Sequence, residues 1–291
     1  MYSTENVSSL ETENYMGQHI IKVAILDLYN NEPNEGMRGI QNLLSTHQLP
    51  DNLKFEFTVF DVRFRHEIPS LDFDIYISTG GPGSPLADAN AMWEKPYFNL
   101  IDEIIAFNEN SSGQKKFVFL ICHSFQLVCR HLQLGEVTKR KSTAFGIFPM
   151  HKFEYGFQEN CFQQINDPFY AVDSRDWQVI QPDHKELKKL GSRVLAIEKE
   201  RLHVPYERAV MGIRFTAEII GTQFHPEADP IGMLHYLLRP DKKEHIIKHH
   251  GEEKYEEMLL HLNDLDKISL TQKSIIPAFL NQAIQHSLVF A

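Results

Sequence analysis

Apolar and polar positions follow two recurring patterns along the chain from about residue 20. Short runs of mainly apolar residues have the length of buried strands, and one segment alternates apolar with polar positions as a half-buried strand does. Between these segments, apolar residues recur at the spacing of one helix face. The patterns predict strands at 20–26, 55–59, 74–78 and 117–121, and helices at 35–44 and 96–107.

Strands that alternate with helices at this interval indicate right-handed crossovers between parallel strands. Near-continuous apolar runs such as 20–26 are typical of strands covered on both faces. We therefore predict an α/β fold, with a doubly wound, mostly parallel, flavodoxin-like sheet flanked by helices. Ligands bind such sheets at the carboxyl ends of the strands. Gly80, Gly81 and Cys122 each follow a predicted strand, so we expect the chemistry there.

The two ends of the chain differ from this central pattern. Residues 1–18 are rich in Ser, Thr, Glu and Asn without periodicity, which predicts a flexible N-terminal tail. The composition becomes charged and helical from about Arg239, and a last helix is expected from Ser269, with Pro277 bending it or moving its start. These shifts predict a main domain over 19–240 and a helical C-terminal extension over 241–291, which packs on the core or on a partner.

Composition narrows the possible partners and compartments. The net charge of the 291 residues is −10, which argues against a nucleic-acid partner. The three cysteines form no paired framework, so a reducing cytoplasm is expected. No apolar run approaches the length of a membrane span and no export signal is evident, so no membrane contact is expected.

Candidate nucleophilic chemistry is found at one cysteine and one His-x-Glu segment. Cys122 ends an apolar run and a helical pattern starts at the next residue, so its thiol lies at a helix N-terminus, which favours thiolate. His225 and Glu227 are two residues apart, so on an extended segment both side chains point the same way. The carboxylate can then fix the tautomer of the imidazole, as in a catalytic triad.

These motifs resemble those of the class I (triad) glutamine amidotransferases over roughly residues 20–240, and are similar to the glutaminase domain of GMP synthase. That family has a glycine-rich turn, a nucleophile elbow of the form Gly-x-Cys-x-Gly-x-Gln, and a Phe-His-Pro-Glu segment. The matching positions agree in order and spacing: Gly80 and Gly81, Cys122 and Gln126, and Phe224 to Glu227.

The resemblance implies hydrolysis of glutamine or a γ-glutamyl compound, with a Cys122, His225 and Glu227 triad. Backbone amides of Gly81 and His123 would form the oxyanion hole, and Gly80 and Gln126 would face the substrate. No cofactor or metal is implied. The sequence has no phosphate-binding loop for ATP, so ammonia would pass to a synthetase on a separate chain, if it is passed on.

The sequence departs from the family pattern at two places. Leu120 and Ser124 stand where the elbow has glycines, so Cys122 is expected in a strained conformation and Leu120 needs a small residue opposite it. Arg175 aligns loosely with a position near the glutamine carboxylate. Its guanidinium is therefore predicted to bind a substrate carboxylate, unless it pairs with an acid such as Asp173.

Two other functions remain open at this stage. Homoserine transsuccinylases use the same Cys-His-Glu triad, and the segment from Leu26 to Asn30 faintly resembles one of their strands. A degenerate domain that only binds a partner or metabolite is the second alternative. His245 and His249 are one helical turn apart, but no third ligand follows at a metal-binding spacing, so a solvated helix face is favoured.

Overall fold

The structure is a computed structural model that describes residues 19–87, 91–200 and 207–290. The predicted tail over 1–18 and the side chain of His245 lie outside the described part. None of the described helices is long and apolar enough to span a membrane.

A nine-stranded mixed sheet forms the centre of the described chain, in the order β2-β1-β3-β4-β9-β8-β7-β5-β6. The pairs from β2 to β9 are parallel, whereas β9, β8, β7, β5 and β6 pair antiparallel. The strands are β1 (His19–Asp27), β2 (Leu53–Asp61), β3 (Ile75–Ser78), β4 (Phe117–Ile121), β5 (Glu136–Lys152), β6 (Phe169–Ile180), β7 (Arg193–Glu198), β8 (Val210–Arg214) and β9 (Ile219–Thr222).

Eight α-helices accompany the sheet in the described residues. They are α1 (Glu35–Thr46), α2 (Glu94–Asn110), α3 (His123–His131), α4 (His184–Leu190), α5 (Pro230–Leu238), α6 (Pro240–His250), α7 (Glu252–Leu262) and α8 (Ile268–Phe290). The predicted α/β sheet flanked by helices, with helices at the C-terminus, is confirmed.

Apolar side chains cover both faces of the parallel strands. In β1, Ile21, Val23 and Ile25 belong to one core cluster, while Ala24 and Leu26 belong to another on the opposite face. Successive side chains of a strand point to opposite faces, so a continuous apolar run is the pattern that two covered faces require. Residues of α1 and α8 contribute to the first cluster, and residues of α2 and α3 to the second.

The last helix packs directly on the sheet. The Phe279 ring meets the rings of Phe117 and Phe119 edge-on, with centroids 6.3 and 5.2 Å away. The helix begins at Ile268 and continues through Pro277, so the proline does not move its start. Proline lacks the N–H that would bond the preceding turn, and packing on the core compensates for that loss.

Candidate active site

Cys122 lies between the end of β4 and the start of α3, in a backbone conformation that non-glycine residues rarely adopt. Its φ is 49° and its ψ is −96°. The predicted strain at this residue is confirmed. Hydrogen bonds on both sides hold the turn, because Cys122 N donates to Thr222 O at 2.7 Å and Gln126 N donates to Cys122 O at 3.0 Å. Such a turn costs about 1 to 3 kcal/mol and persists only where its surroundings impose it.

The two residues that replace the elbow glycines are accommodated in different ways. Leu120 is paired in register with Gly221 of β9, so its side chain has the small neighbour that the sequence analysis requires. Ser124 is fully buried, and its Oγ accepts from Ile121 N at 2.8 Å and lies 2.8 Å from Ser78 O. The hydroxyl therefore ties the elbow to the end of β3.

His225 and Glu227 form the predicted pair. His225 Nδ1 lies 2.8 Å from Glu227 Oε1, and Glu227 is almost fully buried. The backbone N–H of His225 donates to Val172 O of β6 at 2.9 Å, which keeps this segment extended. His225 Nε2 is buried and makes no hydrogen bond of normal geometry to the described residues.

The electrostatic surroundings favour a charged His225. Burial alone would lower the pKa of His225, but the Glu227 carboxylate and the Cys122 sulfur raise it well above its usual value of 6.5. An imidazole that is already protonated can stabilise a thiolate and later give its proton to a leaving group.

The glycine turn after β3 brings the cysteine and the histidine together. A Cβ on Gly80 would lie 3.0 Å from His225 Cε1 and 3.6 Å from Cys122 Cβ. A Cβ on Gly81 would lie 2.4 Å from Leu28 O. Both positions therefore need glycine for close approach, Gly80 to the reacting side chains and Gly81 to the loop after β1.

Gln126 does not project freely into the site. Its Nε2 donates to Trp177 O at 3.1 Å and to Gln223 Oε1 at 3.0 Å. Gln223 in turn donates from Nε2 to Cys122 Sγ at 3.6 Å. Gln126 therefore orients Gln223 through its amide hydrogens, and Gln223 contacts the sulfur.

Arg175 does not have the predicted position for binding a substrate carboxylate, because it pairs with Asp173. Its Nε donates to both carboxylate oxygens of Asp173, at 2.8 and 3.0 Å, and its side chain is almost fully buried. Asp173 and Arg175 are two residues apart on β6, so they share one face of the strand and pair with each other. The guanidinium lies buried between Asp173 and Glu198, whose oxygen is 3.3 Å from Nη2, so it is paired within the protein and does not have the predicted substrate role.

His123 follows the cysteine and is also buried. Burial, together with the charges of Arg63 and Arg130, lowers the pKa of His123 to about 3, so its imidazole is neutral. Arg63 donates to Pro82 O at 2.7 Å, and Arg130 donates to Pro85 O. The two arginines thereby fix the loop after the glycine turn.

The sequence motifs did not indicate three residues that lie near Glu227, which are Tyr29, Gly36 and Gly39. A Cβ on Gly39 would lie 2.4 Å from Glu227 O, and one on Gly36 would lie 2.2 Å from Tyr29 Oη and 3.0 Å from Glu227 Oε1. The two glycines let α1 approach the Glu227 segment. The Tyr29 hydroxyl is buried beside the site without a hydrogen-bond partner in the described residues. A tyrosine that follows a strand is common, so the sequence gives only a weak indication of a role for Tyr29.

The described chain is thus an α/β protein whose parallel strands carry a cysteine, a histidine and a carboxylate at one edge. It belongs to the glutamine amidotransferase family, because the sequence model of Glutamine amidotransferase class-I matches residues 39–239. A search of curated proteins found no match.

Solved structures agree with the fold. A glutamine amidotransferase from Thermotoga maritima superposes with a TM-score of 0.64 at 15% identity, over 92% of this chain and 99% of that one. A glutamine amido transferase from Methylobacillus Flagellatus superposes with a TM-score of 0.61 at 13% identity, over 93% of this chain and 95% of that one. At these identities the likeness shows the fold alone.

Proposed function

We propose that this protein is a glutaminase-type hydrolase that releases ammonia from glutamine or a γ-glutamyl compound. The observation that carries the proposal is Cys122 at a φ of 49° on the β4–α3 turn, beside a His225–Glu227 pair joined at 2.8 Å. A strained turn presents the thiol to a bound substrate, and the pair supplies a base with a fixed tautomer.

The reaction would proceed in two steps. The Cys122 sulfur attacks the side-chain amide carbon, and the oxyanion accepts hydrogen bonds from the backbone N–H groups of Gly81 and His123. Each donor of this kind lowers the barrier by about 3 kcal/mol. His225 gives a proton to the leaving nitrogen, so the C–N bond breaks, ammonia departs and a γ-glutamyl thioester remains. His225 then takes a proton from water, which attacks the thioester and restores the thiol.

Residues around the Cys122 sulfur would position the substrate and the thiol. Gln126 holds Gln223 against Cys122, and Gly80 leaves room for the substrate between sulfur and imidazole. Ammonia would pass to a synthetase on a separate chain, since the sequence carries no phosphate-binding loop for ATP.

The direct test is ammonia release from a panel of γ-glutamyl compounds, together with labelling by an electrophile that mimics glutamine. We expect one equivalent of label on Cys122, and neither label nor ammonia from Cys122→Ala. Cys129→Ala is the matched control, because Cys129 lies fully buried in the next turns of the same helix. It should retain both.

Other results would identify the alternatives. Ammonia release by Cys122→Ala at the wild-type rate would refute the proposed nucleophile. Acyl-CoA turnover that depends on Cys122, without ammonia release, would favour an acyltransferase. A protein that neither reacts with the electrophile nor turns over any compound would be a binding domain.

A further inference from the structure

A positively charged cleft opens at the end of the sheet that β7, β5 and β6 form. It has a volume of about 200 Å³ and lies between the first half of β5, the end of β6 and the end of β7. Five basic side chains line it: Lys139, Arg140, Lys141, Lys199 and Arg208. Two acidic side chains line it as well, so positive charge dominates the cleft in a chain whose net charge is −10.

Arg140 and Glu198, which line the cleft, belong to a buried ion-pair cluster that also includes Arg175 and Asp173. Arg140, with its side chain only 6% exposed, donates to Gln178 Oε1 at 2.9 Å and to Glu198 Oε1 at 3.1 Å. Arg175 Nη2 lies 3.3 Å from the same Glu198 oxygen, so two buried guanidiniums share one carboxylate. Arg175 Nη1 is buried and has no hydrogen-bond partner among the described residues.

Two arginines and two carboxylates, Asp173 and Glu198, balance the charge of this cluster. The excess positive charge of the cleft therefore comes from the other lining residues, which are Lys139, Lys141, Lys199 and Arg208 against Glu207. Burial and the charge of Arg175 lower the pKa of Arg140, and the attraction of Glu198 does not fully offset this.

Strand β6 contributes to both the cleft and the active site: Gln178 and Ile180 line the cleft, and Ser174 contacts Cys122. β7 and β6 run in the same direction as β4, so their carboxyl ends lie at the edge of the sheet where Cys122 stands. Ser174 O lies 3.7 Å from Cys122 Sγ, while its neighbours Asp173 and Arg175 form the ion pairs behind the cleft. An anion in the cleft would therefore act on the strand that contacts the sulfur.

We propose that this cleft is a binding site for a small anion that carries a phosphate group or several carboxylates. The size of the cleft fits a metabolite rather than a polymer, and several basic side chains around one opening suit a multiply charged group. Binding itself does not depend on the proposed glutaminase activity. Only an effect of the anion on ammonia release rests on that activity.

Calorimetric titration of the full chain tests the site, with pyrophosphate and citrate as probes and ionic strength held at about 0.1 M to fix the screening. We expect saturable binding of at least one probe, weakened at least tenfold in both Lys141→Gln and Arg208→Gln. Lys54→Gln is the matched control, because it removes one cation from β2, at the opposite edge of the sheet. It should bind as the wild type does.

The two probes distinguish the chemistry. Tight binding of pyrophosphate alone would assign a phosphate-bearing ligand, and tight binding of citrate alone a polycarboxylate. Equal weak binding in all variants, or no binding of either probe, would overturn the proposal. Arg208 Nε donates to Glu198 O at 2.6 Å, so Arg208→Gln also needs an unchanged circular dichroism spectrum. Lys141→Glu, at an exposed position, gives the same readout if that variant does not fold.

If ammonia release is absent from the wild type, calorimetry still decides the site. If release is present, a bound probe should change the KM for glutamine in the wild type and leave that of Lys141→Gln unchanged. The failure of one proposal is thus distinguishable from the failure of the other.

Discussion

Single residues make a glycine-poor elbow possible in this protein. Ser124 supplies an acceptor for the N–H of Ile121 and a hydroxyl 2.8 Å from Ser78 O, so a side chain takes part in holding the turn. Gln223 and Gln126 hold the sulfur from the other side. The conformation of Cys122 is therefore held by side chains of α3 and of the segment after β9, together with the backbone carbonyl of Ser78 in β3.

Replacing Ser124 with Ala should destabilise the protein by about 1 to 3 kcal/mol, because the buried N–H of Ile121 loses its described partner. Urea unfolding measures the change. Ser112→Ala is the control, since Ser112 is exposed in the loop after α2, and its effect should stay within about 0.5 kcal/mol. An equal effect of both substitutions would show that the hydroxyl does not hold the elbow.

Glu227→Gln should lower the pKa of His225, because it removes the carboxylate that raises this pKa. NMR titration of the His225 imidazole in the wild type and in Glu227→Gln measures the two pKa values. A raised folded-state pKa stabilises the fold fully below the unfolded value of about 6.5 and loses that effect as pH rises through the folded value. The stability lost in Glu227→Gln should therefore shrink towards alkaline pH.

The same pair orders the expected losses of activity. In the proposed mechanism Glu227 orients and charges the imidazole, whereas His225 carries the proton. Glu227→Gln should therefore reduce kcat less than His225→Ala does. An imidazole that titrates near pH 6.5 in the wild type, or equal kcat losses, would contradict this division of roles.

At the scale of elements, β4 and β9 pack together because a large residue on one strand faces a small residue on the other. Leu120 occupies a glycine position of the elbow, and Gly221 stands opposite it in the register. A Cβ on Gly221 would lie 3.0 Å from atoms of Leu120, Phe125 and Phe215. The pairing of these strands sets where Cys122 emerges, so this contact bears on the site.

Gly221→Ala should destabilise the protein by about 1 to 3 kcal/mol through overpacking. Leu120→Ala should destabilise it as well, by leaving a cavity. If the two positions compensate each other, the double variant will be more stable than the sum of the single effects predicts, by about 0.5 kcal/mol or more. Urea unfolding of the four proteins measures this coupling, and strict additivity would show that the two positions are independent.

The sequence predicted the elements of the parallel half more fully than those of the other half. Apolar runs of β1, β3 and β4 are explicit because both faces are covered. β5 is largely exposed over its first half and is interrupted between Lys139 and Ala144, so its pattern carries less information. The positions of Cys122, His225 and Glu227 were predicted from their motifs and spacing. The structure places the first two side chains beside Gly80 and the third beside His225. The Asp173 partner of Arg175 was named only as an alternative, from their spacing of two residues. The contact of Gln126 with Gln223 was not predicted, because a partner 97 residues away depends on tertiary packing.

At the scale of the whole molecule, the C-terminal helices are bound to the core by apolar packing. Ile275, Ile276, Phe279 and Leu280 of α8 belong to the same buried cluster as β1 and β4. A helix that packs on a core in this way gains most of its stability from that packing. We therefore expect the main domain and the extension to unfold together, although composition changes between them.

Phe279→Ala tests this cooperativity in the full chain. The ring is fully buried against Phe117 and Phe119, so its removal should cost about 3 to 5 kcal/mol. Both tryptophans, Trp93 and Trp177, lie in the main domain, so their fluorescence reports its unfolding and not that of α8. Because one cooperative unit shifts every probe together, the fluorescence and circular dichroism midpoints should both fall by the same amount.

Val289→Ala is the control for that experiment, since Val289 is 75% exposed near the end of the same helix and should change stability by less than about 0.5 kcal/mol. Phe279→Ala could also act locally, by releasing α8 while the sheet remains folded. The fluorescence midpoint would then stay at its wild-type value while part of the helical signal was lost at lower urea. That outcome would make the extension a separate folding unit. A common shift of both midpoints would instead mean that β4, and with it the position of Cys122, depends on α8.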